Sequence, residues 1–331
     1  MIARRTIQGV FTLMLTAAAA CGASPGEDGR DDGAADGRTG EASLAVTRAR
    51  ERVPACTGAR LFAPGEISLP GRGEHRIAFS KDGRTAYFSV SLDAYPWEML
   101  VSSRREGGHW TPAETLPFSG TNNDTDAFLT EDGRTLYFST DRPVNAGEPI
   151  KDDFDVWAVD RKGAGWGAPY HLGAEINTPA FHELYPSLSR DGTIYFNSNR
   201  PGGLGEWDIY RARAGCAHAR GFAAAENLGP AVNSADWEYN PWISPDGRFL
   251  VFASLNRAGG FGLGDLYGTT RAGDGFAPAH NMGPEVNSAA DEYHPTIDAD
   301  MRHVYFARQT YETPTTTSDL YVAETTCLDL H

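Results

Sequence analysis

The chain is 331 residues long, with a formal net charge of −15, 37 glycines, 20 prolines and plentiful aromatic residues. With 44 acidic against 29 basic side chains and no Lys/Arg cluster, a phosphate backbone is repelled over most of the surface, which excludes nucleic acid as a partner. Long apolar-periodic stretches are scarce and short β-branched and aromatic runs alternate with turn residues, which excludes helical bundles and βαβ folds and leaves an all-β chain.

At the N-terminus, Arg4 and Arg5 precede an apolar run from Val10 to Ala20, and Ala18, Ala19 and Ala20 lead into Cys21 and Gly22. The pattern resembles a bacterial lipoprotein signal, in which the Cys becomes the first mature residue and carries the lipid. Ala18 stands where such signals usually have Leu, and cleavage near Ala20 as an ordinary signal peptide is the alternative. Either reading makes residues 1–20 an export signal. Lipidation at Cys21 implies a protein of the bacterial envelope, held at the outer membrane and facing the periplasm or the cell surface. Residues 21–57 are rich in Gly, Ala and Asp, bury too little apolar surface to offset their ordering entropy, and read as a flexible tether.

From residue 58 to residue 327 one unit recurs. Its anchor is a turn followed by a strand: Asp82-Gly83, Asp132-Gly133, Asp191-Gly192, Asp246-Gly247 and the degenerate Asp300-Met301, each leading into an apolar run such as Tyr87-Phe88 or Tyr195-Phe196. Asp-Gly between apolar strands marks a hairpin, because Gly tolerates positive φ and Asp bonds its own turn. A second strand opening on an acid follows in each unit (Glu98, Asp155, Asp208, Asp265, Asp319), and then an aromatic residue and a Leu or Met before Gly or Pro. About four short strands per unit make one blade, and five units predict a five-bladed β-propeller, with six blades as the alternative count. Residues 328–331 form a short tail.

The segment Phe62-Ala63-Pro64 to Leu69-Pro70 matches the last part of a unit but precedes the first hairpin, while the chain stops just after Asp319-Leu320-Tyr321, where that part is due. The offset predicts that the N-terminal strand completes the last blade and closes the ring. If the two strands lie antiparallel, Cys56 and Cys327 come to the same end of the blade, a placement that predicts a disulfide and leaves Cys216 unpaired. The segments Ser244-Pro245-Asp246-Gly247-Arg248, Ser198-Asn199-Arg200-Pro201-Gly202-Gly203 and Asp265-Leu266-Tyr267 resemble the TolB-type, WD40-like repeat of bacterial envelope propellers. That resemblance covers roughly Phe62 to Glu324 and implies fold more than function. TolB itself carries an α/β domain ahead of its propeller, where this chain has the tether.

Eight residues before each turn stands an acid: Glu74, Asp124, Glu183, Glu238 and Glu292. In a propeller these open the innermost strands and ring one mouth of the channel. Two roles remain open for them: a functional carboxylate ring, or a structural repeat that pairs with Arg142, Arg200 and Arg257. Two residues further on, Arg76, Asp126, Tyr185, Asn240 and His294 differ from blade to blade, as residues facing a ligand do. Ca²⁺ is the one cofactor an acid ring would suit, without a loop motif to support it. The histidines, His75, His182 and His294 among them, show no metal spacing, and Trp97, Trp157, Trp166, Trp207, Trp237 and Trp242 read as blade packing. No nucleophile elbow, P-loop or dinucleotide fingerprint occurs. The expected protein is therefore a monomeric, non-catalytic envelope lipoprotein that binds a protein, peptide or glycan of the cell wall at the channel mouth or rim. The alternative is a glycosidase using central carboxylates.

Overall fold

A computed structural model, which describes residues 58–92, 95–215, 221–310 and 318–328, shows an all-β propeller of five blades. The signal peptide, the tether, lipidation at Cys21 and the Cys56–Cys327 bridge lie outside the described residues. Each blade is an antiparallel meander running outward from the axis. Blade 1 consists of Arg72–Phe79, Thr85–Leu92 and Tyr95–Glu106 with the outer pieces His109–Trp110 and Glu114–Thr115. Blade 2 runs Asp124–Leu129, Thr135–Thr140, Asp155–Lys162 and then Gly165–Trp166 and Tyr170–His171. Blade 3 runs Glu183–Leu188, Ile194–Ser198, Asp208–Ala212 and Glu226–Asn227. Blade 4 runs Trp237–Ile243, Phe249–Leu255, Gly264–Ala272 and then Gly275–Phe276 and His280–Asn281.

Blade 5 is built from both ends of the propeller: Asp291–Ile297, His303–Gln309 and Ser318–Glu324, completed by Arg60–Leu61. Arg60 pairs with Val322 and Leu61 with Tyr321, and the Phe62 N–H donates to the Leu320 carbonyl at 2.7 Å. The innermost strands touch in order round the axis, and the first meets the fifth, so the array closes.

Side-chain hydroxyls set the hairpins. Ser80, Thr130, Ser189 and Ser244 donate to the turn aspartates Asp82, Asp132, Asp191 and Asp246 at 2.6 to 2.7 Å, and each aspartate also accepts the N–H two residues on. The glycine between takes φ of 65° to 82°, a region that Gly enters without penalty. In the degenerate fifth turn Met301 holds that conformation at φ 58°, and Asp298 accepts the Arg302 and His303 N–H groups.

The apolar core is divided among the five seams between blades. Leu100 of blade 1 packs with Leu136 and Phe138 of blade 2, and Val156 of blade 2 with Ile194 and Phe196 of blade 3. Ile209 of blade 3 meets Ile243 and Phe252 of blade 4, while Leu266 of blade 4 meets Val304 and Phe306 of blade 5. Leu320 of blade 5 and Ile67 of the closing segment pack on Ile77 and Phe88 of blade 1. A blade is therefore stable only between two neighbours, which is why ring closure matters.

Candidate functional site

The five acids that open the innermost strands are all fully buried, and each meets one arginine. Arg72 bonds Glu74 at 2.6 Å, Arg142 bonds Asp124, and Arg200 bonds Glu183 at 3.0 Å. Arg257 lies 3.6 Å from Glu238 and Arg308 2.7 Å from Glu292. Every one of these guanidinium groups also donates to a carbonyl of the loop arriving from the previous blade: those of Ile67, Phe118, Ile176, Val232 and Val286. The same loops present hydroxyl donors to the acids, Thr178 to Glu183, Ser234 to Glu238 and Ser288 to Glu292. Burial pushes Glu74 up to about 7 and raises Asp124, Glu183 and Glu238 in spite of their arginines. These groups latch each blade to its neighbour and face no open channel.

The residues two positions on behave differently. Each innermost strand slips register there, between Glu74 and Ile77, Thr125 and Phe128, Leu184 and Ser187, Tyr239 and Trp242, and Tyr293 and Thr296. Within these bulges Asp126, Tyr185, Asn240 and His294 take positive φ of 53° to 65°, and Pro186, Pro241 and Pro295 follow three of them, where the interrupted ladder needs no donor. The bulges turn the variable side chains onto the axis, and they meet across it. His294 Nε2 of blade 5 lies 3.2 Å from Asp126 Oδ1 of blade 2, Arg76 of blade 1 donates to the Pro241 carbonyl of blade 4 at 3.1 Å, and the Tyr185 ring of blade 3 stands 5.2 Å from that of His294. Contacts between blades that are not neighbours can be made only across the axis, so this cluster plugs the channel. His75, expected to stand alone, is drawn into it 5.7 Å from His294.

Burial dominates the electrostatics of the plug. It pushes Asp126 up to about 6 against the pull of Arg76, brings Arg76 down to about 10 despite Asp126, holds His294 well below the usual imidazole value and lifts Tyr185 well above the phenol range. Among the described residues Arg76 Nε and Nη1 and His294 Nδ1 have no hydrogen-bond partner. Beside the plug the Thr125 hydroxyl bonds both Glu98 and Asp126, which brings two carboxylates together.

On the hairpin side of the plug lies a cavity of about 560 Å³ that all five blades line. Ala78, Ala127, Leu188, Ile243 and Ile297 form its apolar walls, and Lys81, Glu131 and Arg190 stand among the residues of its turns, with Arg190 bonded to Glu131. Sequence reasoning placed candidate residues only at the opposite mouth. The signal for the cavity is one small or aliphatic residue one to three positions after each variable residue.

The repeated Asn of Ile176-Asn177-Thr178, Val232-Asn233-Ser234 and Val286-Asn287-Ser288 was also missed. Each of these side chains bonds both the N–H and the C=O of one residue in the third strand, Val156, Ile209 or Leu266.

No protein-family model and no curated protein matches the chain. Among solved structures it is similar to the catalytic domain of the GH62 α-L-arabinofuranosidase of Coprinopsis cinerea, with a TM-score of 0.50, 13% identity, and coverage of 81% of this chain and 97% of that one. A GH43 endo-arabinanase from Bacillus licheniformis superposes with a TM-score of 0.50 at 12% identity, covering 78% and 96%. A TolB candidate from Agrobacterium tumefaciens does so with a TM-score of 0.46 at 17% identity, covering 75% and 72%. At such identities the likeness concerns the fold alone, and the fold is the five-bladed propeller that the TolB-type resemblance implies.

Proposed function

We propose that the propeller is a non-catalytic binding module, carried to the bacterial envelope on a lipid anchor, that seats an apolar segment of a peptide or protein in the cavity on its hairpin face. The observation that carries this reading is the cavity itself. Its volume of about 560 Å³ falls within the range of roughly 300–1,000 Å³ typical of ligand pockets, and the cross-axis plug gives it a floor. Apolar walls drive burial of an apolar ligand, and the polar turns fix its orientation. Selection from a random peptide library tests the reading. Selected peptides carry apolar anchors and bind Leu188→Arg at least tenfold more weakly than wild type; a selection that yields no binder, or binders indifferent to that substitution, sinks it.

A second reading rests on the shared Thr125 hydroxyl. Asp126, raised to about 6, and the neighbouring Glu98 make a carboxylate pair of the kind glycosidases employ, and two of the similar solved structures are by name an α-L-arabinofuranosidase and an endo-arabinanase. Turnover of any arabinoside or other glycoside by wild type, lost in Asp126→Asn, would overturn the binding reading.

A further inference from the structure

The loop face, opposite the cavity, carries a feature that blade packing does not explain. Each third strand and each innermost strand carries an acid at or near its start, and the residue just before that acid lies towards the rim of this face. In order round the ring these ten residues are Gly73, Trp97, Asn123, Phe154, His182, Trp207, Trp237, Gly264, Asp291 and Ser318. The aromatic ones fall on one arc, blades 1 to 4, and the remaining positions hold small or polar residues. Trp97 and Trp237 are 41% and 39% exposed, contrary to their expected place in blade packing.

From Phe154 to Trp237 the rings form a continuous row. Successive centroids lie 6.0 Å apart for Phe154 and His182, 5.6 Å for His182 and Trp207, and 6.4 Å for Trp207 and Trp237. The row sits on a rigid base. The Phe154 and Trp207 carbonyls accept the N–H groups of Glu183 and Glu238 in the next blade at 2.8 and 2.9 Å, the Phe154 N–H donates to His182 Nδ1, and Trp237 Nε1 donates to Glu206 at 2.9 Å.

We infer that this arc is a stacking track for a neutral glycan chain. The faces of aromatic rings carry negative charge, and the C–H faces of sugar rings complement them. Glu206, exposed and bonded to Trp237, and Asp152, exposed two residues before Phe154 in the chain, supply acceptors for hydroxyl groups and repel anionic polymers, in keeping with the overall charge of −15. A peptide added as an extra strand finds no edge here, because the carbonyls of Phe154 and Trp207 are already bonded between blades. The inference goes beyond the cavity reading and does not depend on it.

The test is titration of the intact protein with neutral xylo-, arabino- and gluco-oligosaccharides of one to six units, followed by tryptophan fluorescence and calorimetry. Affinity rises with chain length for at least one series, falls at least tenfold in Trp237→Ala and returns in part in Trp237→Tyr, with unchanged circular dichroism. Trp207→Phe, which keeps a ring in the row, provides a second variant that retains binding. Failure of every neutral series to bind, or binding unaffected by Trp237→Ala, would overturn the proposal. So would a cationic peptide that binds wild type and loses its binding in Trp237→Ala.

Discussion

At the scale of single residues, the plug places an acid, a base, a phenol, an amide and an imidazole where a repeat protein ordinarily places one residue type. Four of the five stand in left-handed backbone, each at a cost of about 1–2 kcal/mol for a residue with a side chain. Strain of this kind persists only where the surroundings over-determine it, and here the surroundings are the contacts across the axis. The buried charges make stability depend on pH in a way that can be separated by substitution. Asp126 titrates near 6 in the fold and near 3.8 unfolded, so the native state binds its proton more tightly. Its stabilising contribution is fully present below the unfolded value and is lost as pH rises through about 6; the shift corresponds to roughly 3 kcal/mol. His294, whose imidazole is held far below its ordinary value, works in the opposite sense. It stabilises the fold above pH 6.5 and loses that contribution on acidification, as the unfolded chain takes up a proton. Arg76, His75 and Tyr185 face the same pair, and of these Arg76 stays charged and Tyr185 neutral between pH 5 and 8. The expected outcome is that the stability of wild type relative to Asp126→Asn rises as pH is lowered from 8 to 5 in a urea titration. Parallel profiles would show that Asp126 does not carry this proton.

At the scale of the element, the opening acids and their arginines form five copies of one latch. Removing one partner of a buried pair leaves an uncompensated charge and costs about 3–5 kcal/mol. Glu183→Ala and Glu238→Ala are therefore expected to lose similar amounts of stability in denaturant unfolding although they lie in different blades, since each strands an arginine together with two hydroxyl donors. A change in ligand binding without loss of stability would contradict the latch. The acids were legible in the sequence because they recur at a fixed distance from the turn, yet that regularity left two roles open. Only burial and pairing separate a latch from a ring of ligands, and neither is written in a spacing. Arg72 and Arg308 were both missed: Arg72 precedes its acid on the same strand, whereas Arg308, like the expected Arg142, Arg200 and Arg257, comes from the second strand. The aromatic arc was hidden for the opposite reason. Its residues alternate between third and innermost strands, and they line up only once neighbouring blades are placed side by side.

At the scale of the whole molecule, the order of the blades could be read from the repeat because hairpin chemistry is local, and ring closure could be read from the offset of its two ends. What the sequence did not convey is which end of the channel is open, because the plug depends on contacts between blades two or three units apart. Closure itself rests on few bonds: two paired residues, the Phe62 N–H, and the Ser68 hydroxyl donating to the Leu320 carbonyl. The larger share of the seam is apolar. Ile67 is fully buried against Ile77, Phe88 and Leu320, and the Phe62 ring makes edge contacts with Phe79, Trp110 and Tyr305. Truncating Ile67 to Ala removes buried methyl groups at this one seam and is expected to cost about 2–5 kcal/mol. Because each blade is stabilised only by its two neighbours, the loss should appear first as local opening of blade 5 rather than as uniform softening. Hydrogen exchange then speeds up in Ser318–Glu324 and Arg72–Phe79 while Ile194–Ser198, on the far side of the ring, keeps its protection. Deleting the chain through Leu69 carries the same argument further, since it bares the outer edge of Ser318–Glu324 and provides a template for pairing between molecules. The deletion protein should associate in size-exclusion chromatography and be cleaved by protease within blade 5 before any other blade. A deletion protein that stays monomeric, with protection in blade 5 equal to that in blade 3, would mean that the ring does not depend on its N-terminal strand.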